Sequence, residues 1–169
     1  MNTPEKIGIT RKNLMTRETE KRLKIALAEV EEKAKMALKA VGESAGPSSD
    51  WHDNFPFEQA NRDFELYSSE VTMIKKQLEN REIIKPRGEI AEVGVGNEVV
   101  IILNNEEKPE VFTLLGSADS FTKTGWLSCE SPLGSSLIGK KVGEMIIFSV
   151  GEKVIKGKIL EIRPGKFDF

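Results

Sequence analysis

The sequence predicts an α-helical N-terminal half followed by a small α+β domain. Three observations point there. Two apolar seams of helical period occupy the first 85 residues, a short turn rich in Gly, Pro and Ser separates them, and the texture after Pro86 changes to short β-type runs. The expected division is a helical hairpin with an acidic tip over residues 1–85 and a compact domain over residues 86–169.

The first seam is Leu23, Leu27, Val30, Ala34, Ala37 and Val41, spaced 4, 3, 4, 3 and 4, which is the 3.5-residue period of a coiled coil. Lysines and glutamates fill the positions between, as a solvated surface requires. Thr16 is the expected N-cap. Gly42 is an expected end, with Gly46-Pro47 as a firmer break. The second seam is Phe57, Ala60, Phe64, Tyr67, Val71, Ile74 and Leu78, spaced 3, 4, 3, 4, 3 and 4. Asn54 is the expected N-cap, Pro56 falls in the first turn, and Lys85-Pro86-Arg87-Gly88 is the expected stop. Two such helices joined by a short turn fold back antiparallel. At 1.5 Å per residue, roughly 25 residues give an arm on the order of 40 Å long. The same helices would suit half of a four-helix bundle, but each seam is narrow and the other faces are charged, so each helix offers one partner surface.

Beyond Pro86, strands are expected at Val99–Leu103, Val111–Leu115, Trp126–Cys129, Met145–Val150 and Val154–Ile162. One short helix is expected among them, with Ser131 as N-cap, Pro132 at the first helical position, Leu133, Leu137 and Ile138 following, and Gly139 at the stop.

Composition narrows the function classes. The 169 residues carry a formal net charge of −2, so the whole chain has no strong bias toward nucleic acid or anionic membranes. Cys129 is the single cysteine, which excludes an internal disulfide and a cysteine-based zinc site. No run approaches the roughly 20 apolar residues of a membrane span, and Met1–Lys6 lacks a signal-peptide run. The expectation is a cytoplasmic protein with no membrane partner.

Two motifs carry candidate chemistry. From Glu43 to Glu65 there are six acids and one base, a local charge of −5. Within it, Asp50 and Asp53 stand three residues apart in the turn between the helices. Such a pair caps free N–H groups and suits a helix dipole. It also suits Mg2+, which takes one or two protein carboxylates and keeps its waters. Both readings are open at this level. The second motif, Ser131-Pro132-Leu133-Gly134 through Leu137-Ile138-Gly139-Lys140-Lys141-Val142-Gly143-Glu144, reads mechanically as a capped helix and a Gly turn entering a strand. No nucleophile, base and orienter assemble, because His52 is the lone histidine and sits in the far turn.

The chain resembles the Gre family of bacterial transcription elongation factors from about Met15 to Ile162. Met15-Thr16 before a helix looks like the family's opening. Asp50-x-x-Asp53-Asn54 with Phe57 and Ala60 looks like its acidic tip, usually D-x-x-E-N with a following tyrosine. The Ser131 to Glu144 motif looks like its C-terminal signature and is the most specific of the three. The resemblance implies an antiparallel coiled-coil hairpin and a C-terminal FKBP-like α+β domain. It implies that the domain docks at the RNA polymerase secondary channel through Glu130, Ser131 and Pro132. Asp50 and Asp53 would then assist the polymerase active site by holding Mg2+ shared with the polymerase, and the polymerase itself would cleave backtracked RNA. The chain would be no enzyme, would hold no cofactor of its own, would meet the nascent RNA 3′ end only within the polymerase complex, and would be a monomer. Asp53 stands where the family usually has glutamate, Phe57 where it has tyrosine, and Ser49 where it has glycine. The alternative is a channel-binding regulator that does not stimulate cleavage. A prolyl isomerase would need an apolar aromatic-lined pocket, and the aromatic residues of this half read as core or terminal.

Overall fold

The computed structural model describes residues 12–44, 55–88, 90–104, 108–120 and 122–168. They divide into two compact units: Glu20–Glu79, and the chain up to Thr19 together with Asn80–Phe169. This boundary differs from the one expected at residue 85. The reason is a pair of three-residue strands, β1 (Asn13–Met15) and β2 (Arg81–Ile83), that the helical period had concealed.

The first unit is a helical pair. Helix α1 runs Arg17–Ser44 and α2 runs Phe55–Leu78. The expected seam positions are the protected ones: Leu23, Val30, Ala37, Ala60 and Ile74 are buried, and the other seam residues are half-buried. Glu31 pairs with Lys75 at 2.8 Å, and the Lys33 ammonium lies 6.0 Å from the Tyr67 ring centre. Advancing along α1 thus retreats along α2, so the helices are antiparallel. Two expected ends are corrected. Helix α1 passes through Gly42, where nothing crowds the backbone, and continues to Ser44. Helix α2 stops at Leu78, before Lys85-Pro86-Arg87-Gly88, because Asn80 takes a left-handed φ of 47° and turns the chain into β2. Gly46-Pro47 and the expected cap Asn54 lie outside the described residues.

The second unit holds β1 and β2 as a parallel pair, with Leu14 opposite Glu82 and the Ile84 N–H donating to the Met15 carbonyl at 2.9 Å. Parallel neighbours need a long crossover, and here the entire helical hairpin supplies it. The domain's main sheet contains β3 (Asn97–Leu103), β4 (Glu110–Leu115), β5 (Trp126–Ser128), β6 (Met145–Val150) and β7 (Lys153–Pro164), in the order β5-β4-β3-β7-β6. All neighbours are antiparallel except β4 and β5. The short helix α3 (Pro132–Leu137) supplies Leu137 to the core. Ile159 and Ile162 are three residues apart on β7 yet both are buried in that core. The register explains this: Val100 lies opposite Glu161 and Ile101 opposite Ile159, so Leu160 is the extra residue of a bulge that resets the alternation.

Ile159 has no exposed surface. Ile159→Ala should cost about 2–5 kcal/mol, whereas Ile147→Ala, at a side chain 61% exposed, should change stability by no more than about 0.5 kcal/mol. Urea unfolding of the two variants measures both, and equal losses would contradict the inside-outside assignment.

Candidate functional site

The corner between β5 and α3 is built by backbone capping. Ser131 is extended, with φ −68° and ψ 159°, and its Oγ accepts from the Gly134 N–H at 3.0 Å. The same hydroxyl donates to the Ser128 carbonyl at 2.7 Å, and the Ser131 N–H donates to that carbonyl at 3.1 Å. The Glu130 N–H donates to Ser128 Oγ at 3.1 Å. The hydroxyls of Ser128 and Ser131 are therefore both satisfied within the corner, and Glu130 and Pro132 are left exposed. Gly134 is required here, since a Cβ would overlap the Ser128 carbonyl oxygen and come within 3.0 Å of Cys129 Cα.

The rest of the motif is equally mechanical. Gly139 has φ 75°, and its N–H donates to the Val93 carbonyl at 2.8 Å. Gly143 has φ 88°, and its N–H reaches the Ile159 carbonyl at 2.8 Å. The Glu144 carboxylate accepts from the Lys141 N–H at 2.6 Å and from Lys140 Nζ at 3.4 Å. Those contacts, the backbone bond first, lower its pKa below the ordinary glutamate value. The structure thus brings Glu130, Ser131 and Pro132 together on one small corner, with Ser131 holding the shape and its neighbours presenting surface.

Cys129 adjoins this corner. Burial first, and then the Glu130 carboxylate, raise its thiol pKa above the ordinary value. A protonated, half-buried thiol is a poor nucleophile. Among the described residues no group of three or more His, Cys, Asp and Glu side chains is placed to hold a metal. The tip residues Asp50 and Asp53 lie outside the described residues.

One polar cluster was not found by sequence reasoning. Asp119, in the loop after β4, is fully buried. It accepts from the Thr16 N–H at 3.2 and 3.1 Å and from Thr16 Oγ1 at 2.7 Å. Thr16 Oγ1 in turn accepts from the Thr19 N–H at 3.2 Å, which makes it the expected N-cap of α1. Alongside, Lys123 pairs with Glu18 at 2.7 Å and lies 4.8 Å from the Trp126 ring centre. Nothing local marks Asp119, because its partner is 103 residues away.

Comparison with known proteins adds a family. A family model described as "Transcription elongation factor, GreA/GreB, C-term" matches residues 88–164. Transcription elongation factor GreA of Caldanaerobacter subterraneus subsp. tengcongensis is 34% identical over 137 residues, covering 80% of this chain and 82% of that protein. The GreA of Chloroflexus aggregans is 29% identical over 153 residues, covering 88% of this chain and 96% of that protein. Among solved structures, GreA factor homolog 1 of Thermus thermophilus matches with a TM-score of 0.42 and 20% identity, covering 90% of this chain and 99% of that one.

Two expectations follow from the geometry. Asp119→Ala leaves the buried Thr16 donors without an acceptor and should cost about 1–3 kcal/mol, with Asp119→Asn less severe because one acceptor survives. Unfolding of Asp119→Ala at the wild-type denaturant midpoint would contradict that role. Cys129 should react with iodoacetamide more slowly at mildly alkaline pH than an exposed thiol, because little thiolate is present. Glu130→Gln should speed the reaction while leaving it slower than free cysteine, and an unchanged rate would remove Glu130 as a cause.

Proposed function

The chain belongs to the GreA/GreB family of transcription elongation factors, and from that premise we propose that it binds RNA polymerase at the secondary channel and stimulates cleavage of backtracked nascent RNA by the polymerase active site. The observation that carries the reading is the pairing of two features in one chain. The Ser131–Glu144 motif folds into a rigid corner that leaves Glu130 and Pro132 outward. The two antiparallel helices, with charged outer faces, are joined in sequence by residues 45–54, which include the acids Asp50 and Asp53.

The corner docks and the arm reaches. Ser131 and Gly134 fix the backbone that presents Glu130 and Pro132 to the polymerase surface. Asp50 and Asp53 act inside the polymerase active centre, which performs the hydrolysis. Two carboxylates are an incomplete magnesium shell, which fits a cation whose remaining ligands come from the polymerase, its nucleic acid and water. Asp50 and Asp53 would hold Mg2+, which would supply charge stabilisation to a reacting phosphodiester oxygen. Together they would hold the ion and orient the attacking water, with Asp53 as the second carboxylate. The chain is then a cofactor of an enzyme and no enzyme itself.

A second reading has its own observation in Asp53. Its carboxylate reaches about one methylene less far than the glutamate usual at that position. A chain that enters the channel without supplying the second carboxylate at the right distance regulates the polymerase by occupancy.

Stalled, backtracked elongation complexes separate the two. Wild-type protein should shorten the RNA. Asp50→Asn with Asp53→Asn should nearly abolish shortening with polymerase binding retained and a stability loss of about 1 kcal/mol or less. Pro132→Ala with Glu130→Lys should weaken polymerase binding while unfolding remains cooperative. Cleavage undiminished in the double Asn variant would refute the assignment to Asp50 and Asp53. A wild-type protein that slows nucleotide addition without shortening RNA would establish the second reading.

A further inference from the structure

The pairing registers sort β7 into two faces. Gly157 and Ile159 are buried and Ile155 is half-buried on the core side, while Val154, Lys156 and Lys158 are exposed on the opposite side. Lys158 lies between Ile102 of β3 and Met145 of β6, Lys156 lies opposite Ile147, and Val154 lies opposite Ser149. The result is a short row of positive charge down β7, flanked by Ile102 and Asn104 on the β3 side and by Met145 and Ile147 on the β6 side. Met145, Ile147 and Val154 are 54%, 61% and 62% exposed. A cleft of about 400 Å3 opens among Ile102, Met145, Val154 and the two lysines.

Among the described residues, Glu98, Glu144 and Glu161 are engaged elsewhere. Glu144 is held by Lys140 and the Lys141 N–H, and Glu98 and Glu161 both pair with Arg163. Among the described residues neither Lys156 nor Lys158 has an ion pair. The face shares no residue with the Glu130–Pro132 corner.

We propose that this outer sheet face docks an amphipathic acidic helix of a partner protein. Contiguous exposed apolar side chains with a charged rim mark interaction surfaces, and the charge sets the partner's sign. Lys156 and Lys158 are about 7 Å apart along the strand, and carboxylates four residues apart on a helix are about 6 Å apart along its axis. One helix therefore meets both ammonium groups with consecutive turns. Its flanking leucine-type residues cover Ile102 on one side and Met145 and Ile147 on the other. A strand added at the β6 edge would lie two strand spacings, about 10 Å, from the lysines and leave them unpaired. A second copy of this face would set each lysine against like charge.

The test uses the full chain and two labelled synthetic helices of equal length, one with glutamates four residues apart between leucines and one with lysines in their place. Fluorescence anisotropy should show binding of the acidic helix alone. Lys156→Glu with Lys158→Glu should weaken it by about tenfold, the sum of two reversed surface charge contacts. Ile147→Ser should weaken it severalfold, and Lys166→Glu, a control charge change outside the face, should leave it unaltered. Binding of neither helix, or of both equally, would overturn the proposal. So would an RNA oligomer that binds as well as the acidic helix and is indifferent to Ile147→Ser, since that would make the face a site for polyanions. Concentration-dependent dimerisation abolished by Ile147→Ser would make a second copy the occupant and overturn it likewise.

Discussion

Asp119 is a carboxylate with no exposed surface, and such a group is tolerable only when hydrogen bonds replace its lost water. The amide and hydroxyl of Thr16 provide those bonds. The arrangement constrains three things together: the start of α1, the position of β1, and the loop between β4 and β5. Thr16 is itself fully buried and can serve Asp119 and Thr19 only in one side-chain orientation. Gly116 adds a steric condition, because any side chain there would overlap the Leu14 carbonyl of β1. Neither end of this contact can change alone. Losing Thr16 strands a buried charge, and losing Asp119 strands buried donors.

The Ser131–Glu144 motif shows how a surface can be specified by residues that do not belong to it. Ser131, Gly134, Gly139 and Gly143 are used up by capping, close approach and left-handed turns. Glu130 and Pro132 are the exposed products of that construction. Most of the motif is therefore spent on backbone geometry, and Glu130 leaves a carboxylate on the corner's exposed side. Burial first, and then the same carboxylate, raise the pKa of the neighbouring Cys129.

Much of the architecture was legible because it rests on periodicity. The seam positions from Leu23 to Leu78 are those the structure protects, and β6 spans the residues expected. The cap at Ser131 and the left-handed Gly139 were readable from local chemistry alone. What escaped has a common cause: β1 and β2 are three residues each, too short for alternation to register, and their hydrogen bonds join segments on opposite sides of the hairpin. The apolar period ends at Leu78, since the next seam positions are the charged Arg81 and Lys85, so a stop set at Pro86 was too late; the left-handed Asn80 was the signal available. Asp119 carries no local signal, because its partner Thr16 is 103 residues away. The corner residues of the candidate site were legible, but the tip acids rest on the sequence pattern.

The parallel pairing of β1 with β2 has a consequence in time. A ribosome releases Met15 and Thr16 long before their partners exist. Thr16 must wait for Asp119, 103 residues behind it, which at bacterial elongation rates is roughly 5–20 s. Helix pairing is local and closes in far less time. The hairpin therefore stands ready while Met15, destined for complete burial, is still in water. Met15 and Thr16 are therefore among the last residues to be ordered, and nascent-chain binders have their widest opportunity there.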